Sequence, residues 1–364
     1  MSEDVQRRIP VTILTGFLGA GKTTLLNRLI GSPGFGATAV IVNEVGEAGV
    51  DGALVAQADE RAFAMSVGCL CCTISGDVRL TLLRLLEEAE DGVGPAFDRV
   101  VVETTGIADP LPLLQTFMTN DYMLSRFTLN GVITLVDAVN GPDAIGRFPE
   151  ASRQVAVADL LLLTKLDLAL ESTPTPDLEK LTEALRRANP NAPVVPAPEA
   201  TAEMVFSRAA FDPAGKPPDV REWLRFEPGV EGHAAHDHHH HHHDVNRHGE
   251  TASAFCFSAT GLVDNNALEE AVAALQASFG KDLLRIKGLV ELAGHPGTPR
   301  VLHVVGHVTS PPRLLDGWPD GVDRTRLVMI VAGPDREHAS QILQRFVPEL
   351  IAFGLDTTAE HESA

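Results

Sequence analysis

The segment Gly16-Phe-Leu-Gly-Ala-Gly-Lys-Thr23 constrains this chain more than any other. Its spacing is G-x-x-x-x-G-K-[ST]. It follows the apolar run Ile9-Pro-Val-Thr-Ile-Leu-Thr15 and leads into the helix-forming Thr24-Leu-Leu-Asn-Arg-Leu-Ile30. A strand, a glycine-rich turn and a helix in that order make a cradle for phosphate, because backbone N–H groups and the helix N-terminus converge on one anion. The loop residues Gly16, Gly19, Ala20, Gly21 and Thr24 would wrap the phosphates. Lys22 would reach the β- and γ-phosphates, and the Thr23 hydroxyl would ligate Mg²⁺. The motif therefore implies a nucleoside triphosphate site.

From residue 9 to about 197, short apolar runs alternate with helical patterns. Strands are predicted at 9–15, 38–43, 62–67, 99–103, 130–137 and 159–164, and helices at 22–31, 76–91, 111–124, 149–157 and 177–188. Runs that are apolar throughout, each followed by a helix, predict an α/β P-loop NTPase fold with a mainly parallel sheet covered on both faces. Ligands in such sheets sit beyond the carboxyl ends of the strands. Residues 16–23, 103–106 and 164–167 all fall at such ends.

A Pro- and Ala-rich stretch over 189–219 interrupts the pattern, and a His-rich segment follows at 231–248. Beyond it, strand-like 252–258, a helix at 265–279, apolar runs near 283–292 and 300–308, a strand at 326–332 and a helix at 335–350 predict a smaller α+β domain. The expected division is a P-loop domain at 1–200, a flexible linker at 201–249, a C-terminal α+β domain at 250–353 and a flexible tail at 354–364.

Two further stretches extend the nucleotide site. Val100-Val-Val-Glu-Thr-Thr-Gly106 ends a strand in an acid, and a glycine follows three residues later. Glu103 would act through the Mg²⁺ shell or its water, and the Gly106 N–H would sense the γ-phosphate. Leu160-Leu-Leu-Leu-Thr-Lys-Leu-Asp167 ends a second strand in Thr-Lys-x-Asp. The Asp167 carboxylate can accept both N1–H and N2–H₂ of guanine, a donor pair that adenine lacks, so it would select GTP. The Lys165 stem would lie across the base or brace the phosphate loop. GTPases commonly carry Asn where Thr164 stands.

Gly68-Cys-Leu-Cys-Cys-Thr73 holds three of the four cysteines, Cys69, Cys71 and Cys72. Thiolates suit Zn²⁺ or Cu⁺. In an extended backbone residues 69 and 71 share a side and 72 does not, so ligation by all three needs a turn. Otherwise two thiols bind and carboxylates fill the shell, the nearest candidates being Glu44 and Glu47 in Val42-Asn-Glu-Val-Gly-Glu47. A mixed shell implies an exchangeable metal rather than a closed structural site. His233, His236, His238, His239, His240, His241, His242, His243 and His248 are nine of the fourteen histidines, and they would hold several cations weakly through neutral imidazole. Cys256 reads as a core residue.

Composition narrows the partners. A formal charge of −20 excludes non-specific attraction to nucleic acid or anionic membrane. No run of 18 apolar residues is present, and the first residues lack the apolar core of a secretory signal. With cysteines clustered rather than spread as a disulfide framework, a reducing cytoplasm is expected.

Together these stretches resemble the CobW-type metallochaperone GTPases. The resemblance rests on GFLGAGKTTLLNRL at 16–29, VNEVGEAGVD at 42–51, GCLCCT at 68–73, ETTGIADP at 103–110, GVITLVDAVN at 131–140 and LLTKLDL at 162–168. In the second domain it rests on LLRIKGLVEL at 283–292, VLHVVGH at 301–307 and Trp318-Pro-Asp320. It implies a GTPase of slow intrinsic turnover that carries Zn²⁺, or Co²⁺, at the cysteine motif and delivers it to a client metalloprotein. Nucleotide state would control release. The C-terminal domain would hold the client or complete a homodimer. A contrasting expectation is a zinc-sequestering or sensing protein that uses GTP only as a conformational ligand.

Overall fold

The computed structural model describes residues 8–43, 70–74, 77–171, 177–206, 252–319, 322–333 and 335–353. Two compact units divide the chain, Met1–Trp223 and Leu224–Ala364.

Among the described residues of the first unit, seven strands form one parallel sheet. They are β1 (Ile9–Gly16), β2 (Thr38–Asn43), β3 (Leu70–Ile74), β4 (Arg99–Glu103), β5 (Phe127–Asp137), β6 (Leu160–Thr164) and β7 (Val194–Pro196). Their order across the sheet is β3-β2-β4-β1-β5-β6-β7. Every residue of β6 is buried, as are Val100, Val101 and Val102 of β4. Burial on both faces explains why these strands read as continuous apolar runs rather than alternating ones.

The α-helices among the described residues of this unit are α1 (Lys22–Ile30), α2 (Val78–Glu90), α3 (Leu111–Thr119), α4 (Asp121–Arg126), α5 (Gly141–Arg147), α6 (Pro149–Ala156), α7 (Leu166–Glu171), α8 (Leu178–Ala188) and α9 (Ala202–Phe206). Helix α1 buries Leu25, Leu26, Leu29 and Ile30 in a core shared with Leu14, Ile133, Leu135, Leu160 and Leu162. Spacings of three and four residues put these side chains on one helix face. At its far end Arg28 donates to the carbonyls of Ala197 (2.6 Å) and Ala200 (2.9 Å), tying α1 to the segment after β7.

Two departures from the periodicity have local causes. The helix expected over 111–124 breaks at Asn120, whose backbone is extended (φ −92°, ψ 110°) and whose side chain accepts from Met123 N to start α4. The strand expected at 62–67 lies outside the described residues, whereas residues 70–74 form β3, paired in parallel with β2. In the second unit the helix expected over 335–350 ends at Phe346. Pro348 disfavours helical backbone at Val347 (φ −130°), and residues 351–353 become a strand.

The second unit holds an antiparallel sheet of β8 (Ala252–Ala259), β9 (Leu283–Leu292), β10 (His295–Val305), β11 (Val308–Thr309), β12 (Arg313–Leu314), β13 (Thr325–Ala332) and β14 (Ile351–Phe353). The order is β11-β10-β9-β13-β8-β14, with β12 also on β10. Helices α10 (Asn265–Phe279) and α11 (Arg336–Phe346) pack Leu268, Val272, Leu275 and Leu343 onto the sheet face that carries Phe257, Ile286, Val304 and Met329. Asp264 caps α10 by accepting from Asn266 N and Ala267 N, both at 2.9 Å. Strands β9 and β13 approach so closely at Gly288 that a Cβ there would sit 2.2 Å from the Arg326 carbonyl oxygen. No helix among the described residues is long and apolar enough to cross a membrane.

Candidate functional site

Parallel pairing brings the carboxyl ends of β4, β1, β5 and β6 side by side. Leu14 pairs with Glu103, Gly16 with Leu135, and Asp137 with Thr164. Three stretches far apart in sequence thus meet along one sheet edge: 16–24, 103–106 and 164–167.

At the end of β1 the chain turns through Gly16 (φ 143°), Gly19 (φ 70°) and Gly21 (φ 89°), all in the region that favours glycine. Gly16 has a second reason to lack a side chain, since a Cβ would lie 2.5 Å from the Leu135 carbonyl oxygen. The turn closes with Ala20 N donating to Phe17 O (3.1 Å). Helix α1 then starts on Gly21, without a side-chain cap and without an acid in its first turn. Its first N–H groups and the positive end of its dipole are left to an anion.

Lys22 is buried, and its Nζ donates to Gly16 O (2.8 Å) and Phe17 O (3.4 Å), folding the ammonium over the loop. Burial lowers its pKa from the ordinary lysine value, and the nearby Glu103 charge partly opposes that shift. Thr23 Oγ1 donates to Glu103 Oε1 at 2.7 Å. The hydroxyl on α1 and the buried carboxylate ending β4 therefore form one oxygen pair beside the cradle. Oxygen donors of this kind fit Mg²⁺, which binds through few protein ligands together with substrate phosphate.

After β4 the chain is held from several directions. Thr104 N donates to Leu14 O (2.9 Å), and Thr104 Oγ1 to Thr15 Oγ1 (2.8 Å). Gln154 on α6, almost wholly buried, donates through Nε2 to Gly106 O (3.1 Å) and Ala108 O (3.0 Å). Next to it Arg153 pairs with Asp109 at 3.0 Å. The end of α6 is in turn fixed by buried Asn189, whose Nδ2 donates to the carbonyls of Val155 and Ala158 (2.9 Å each). Held this way, Gly106 abuts the phosphate loop: a Cβ on it would lie 2.6 Å from Leu18 N.

At the end of β6, Thr164 Oγ1 donates to Ala20 O (2.9 Å), so this side chain clasps the phosphate loop from behind. Lys165 has φ 56°, the only non-glycine with positive φ among the described residues. Such a backbone costs ~1–3 kcal/mol and clusters at ligand sites. The Lys165 Nζ reaches Asp137 Oδ2 (2.7 Å) and comes within 3.9 Å of where a Cβ on Gly19 would be. Asp167 lies in the first turn of α7 with an exposed side chain.

Sequence reasoning gave no role to Asp137, Gln154 or Leu18. Asp137 carried the same signal as Glu103, an acid closing an apolar strand. Gln154 carried none, because it matters only once α6 packs beside β4.

The proposed metal residues stand differently. Glu44, Glu47, Cys69 and the histidines at 233–248 lie outside the described residues, and Cys71 and Cys72 are described as backbone of β3, paired with Val40 and Ile41. Among the described side chains no group of three or more His, Cys, Asp or Glu is placed to hold a metal ion.

Comparison with known proteins gives concordant matches. Residues 10–196 match the CobW/HypB/UreG nucleotide-binding domain, and residues 252–347 match the cobalamin synthesis protein cobW C-terminal domain. Zinc chaperone YjiA of Escherichia coli is 45% identical over 186 residues, which cover 51% of this chain and 56% of that protein. Zinc-regulated GTPase metalloprotein activator 1 of Schizosaccharomyces pombe is 38% identical over 167 residues, covering 44% of this chain and 39% of that protein. The chain thus spans about half or less of the length of these relatives. The crystal structure of Zn(II)-bound YjiA GTPase from E. coli superposes with a TM-score of 0.67 at 28% identity, covering 94% of this chain and 99% of that one. With the nucleotide-binding model spanning half of its residues and the C-terminal model most of its second unit, the chain belongs to the CobW/HypB/UreG family.

Proposed function

We propose that this protein is a GTP-dependent zinc metallochaperone, a slow GTPase that binds Zn²⁺ at Cys69, Cys71 and Cys72 and passes it to a client metalloprotein. Glu44 or Glu47 would complete the metal shell, and the histidines of 233–248 would gather cations at lower affinity. The observation that carries the reading is one of register. Cys72 pairs with Ile41, and Ile41 pairs with Val102, the residue before Glu103. Two hydrogen-bonded strand steps therefore join the cysteine motif to the carboxylate beside the phosphate cradle. A shift of β4 on nucleotide exchange has a direct backbone route to β3.

In the nucleotide reaction, water attacks the γ-phosphorus and GDP leaves, and most of the barrier reduction comes from positioning and charge. Lys22 would exchange its two loop carbonyls for β- and γ-phosphate oxygens. The N–H groups at the start of α1 would hold the phosphates, and Gly106 N–H would report the γ-phosphate. Thr23 and Glu103 would hold Mg²⁺, which when bound neutralises charge on the β- and γ-phosphates. Asp167 would accept from guanine N1–H and N2–H₂. Among the described residues this scheme gives no side chain the role of general base, in keeping with slow intrinsic turnover. Three closely spaced thiols remain usable as ligands only where they stay reduced, so a cytoplasmic setting belongs to the same proposal.

The test is a competitive Zn²⁺ titration of the full chain with Mg²⁺ and either GDP or a non-hydrolysable GTP analogue. A variant with Cys69, Cys71 and Cys72 changed to serine subtracts the contribution of the histidines. A stoichiometric cysteine-dependent site whose affinity differs about tenfold between nucleotides is expected, equivalent to ~1.4 kcal/mol of coupling. Equal affinities would overturn the delivery switch and favour a zinc-sequestering protein that merely binds GTP.

A further inference from the structure

We propose that Asp137 is a positioning residue for guanine-nucleotide recognition that acts through Lys165, holding that side chain across the phosphate loop so that the 164–167 turn meets the base in a single orientation. The inference rests on the reading of the site as a GTP site, and it assigns a role to a side chain that no phosphate or base motif contains.

Asp137 ends β5, between the strand that feeds the phosphate loop and the strand that feeds the base motif. It is 6% exposed, and both of its oxygens are committed. Oδ1 accepts from Val139 N (2.8 Å) and Asn140 N (3.1 Å), while Oδ2 accepts from Asn140 Nδ2 (3.0 Å) and Lys165 Nζ (2.7 Å). The first three contacts fix the carboxylate on its own turn, and the fourth reaches across to β6. A buried carboxylate with this many donors has one orientation, so the ammonium it holds has one location. Burial alone would push its pKa up, but the bonds from Lys165 and Asn140 and from the turn's backbone bring it below the usual aspartate value, keeping it charged.

Lys165 needs such an anchor. A lysine is a point charge on a flexible stem, and this one leaves its strand in a left-handed backbone conformation with its side chain about one-third exposed. The ends of β5 and β6 are already joined by Thr164 Oγ1 to Val136 O (3.3 Å) and Ala138 N to Thr164 O (3.0 Å), and Thr164 Oγ1 also donates to Ala20 O in the phosphate loop. Those bonds settle the backbone of the turn and leave the lysine side chain to Asp137. A purely local role would end with the caps on Val139 and Asn140, which an asparagine at 137 can still provide.

The experiment is a double-mutant cycle in the full chain with Asp137→Asn, Lys165→Met and both together. Binding of GDP and of a non-hydrolysable GTP analogue is measured with Mg²⁺, and GTP turnover is measured at saturation. Asp137→Asn is expected to weaken both nucleotides about tenfold while saturated turnover changes less than about twofold, the signature of lost binding rather than lost chemistry. Lys165→Met should weaken binding to a similar extent, and Asp137→Asn should add nothing in that background. Unchanged affinity in Asp137→Asn, or additive effects of the two changes, would overturn the proposal. Should Asp137→Asn fail to fold, Lys165→Met removes the same ion pair from its exposed side, and unchanged affinity there overturns it equally. Asp167→Asn serves as a separate control, because an amide at 167 should shift preference from guanine to xanthine nucleotides. A control that shows no change of base preference sinks the GTP-site reading itself, whereas a normal control with a silent Asp137→Asn sinks only the positioning role.

Discussion

Gly106→Ala is expected to lower kcat/KM for GTP by about 100-fold, because it forces apart two segments that the chemistry needs in register. The added Cβ would lie 2.6 Å from Leu18 N, 2.7 Å from Leu18 Cα and 2.7 Å from Leu18 Cδ2. Two of these atoms are backbone of the phosphate loop, so no rotamer change relieves the clash. Movement the other way is resisted by Gln154, which holds Gly106 O, and by Thr104, bonded to Leu14 and Thr15. The substitution should also cost about 1–3 kcal/mol of stability, as overpacking generally does. Steady-state GTP turnover and thermal unfolding measured together check both parts. Activity within about twofold of the parent chain would mean that the turn yields without disturbing the loop, and the close approach would then have no functional weight.

Lys22→Met is the second large effect, with an expected loss of about 100- to 1,000-fold in turnover, typical of removing a preorganised charge from a transition state. The methionine fills much of the same buried space, so folding should survive, and nucleotide-free thermal unfolding is the control. The same residue predicts a pH dependence. Burial gives Lys22 a pKa below that of an ordinary lysine in the nucleotide-free protein. Bound phosphate favours the charged form and raises that pKa. Below the lowered value the lysine is charged in both states and contributes no pH dependence. As pH rises through it, binding must take up a proton, so affinity for GDP and GTP should fall. Titration of affinity from about pH 7 to about pH 10 should show this limb in the parent chain and not in Lys22→Met. A limb of equal size in both proteins would assign it to another group.

Local chemistry accounts for what could be read ahead of the structure. Glycines at 16, 19 and 21 announce a turn of positive φ, and a lysine and threonine at the start of a helix announce an anion site. The unbroken apolar runs inside β4 (100–102) and β6 (160–163) announce a sheet covered on both faces. Helix ends were legible where a side chain caps its own backbone, as Asp264 does for α10. They were misjudged where a short polar residue starts a new helix within an apolar run, as at Asn120, or where a proline acts one residue ahead, as at Val347.

The less legible part depends on register. Nothing local to Asp137 indicates that its fourth hydrogen bond goes to Lys165, 28 residues later. Nor does anything near Gly106 indicate that Leu18 will press against it, or that Gln154 will hold it from behind. Strand order decided these contacts. Because β1 lies between β4 and β5, and β5 between β1 and β6, residues scattered over about 150 positions are brought to one sheet edge.

The sequence by itself determined the fold class, the phosphate cradle and the kind of residue at each strand end, since φ preference, burial and helix dipoles act within a few residues. Only the tertiary structure decided which strand ends are neighbours. It thereby paired Thr23 with Glu103, Thr164 with the carbonyl of Ala20, and Asp137 with Lys165. The physical reason is that parallel pairing joins strands through long crossovers, so their neighbours are chosen by packing of the whole sheet rather than by any segment of the chain.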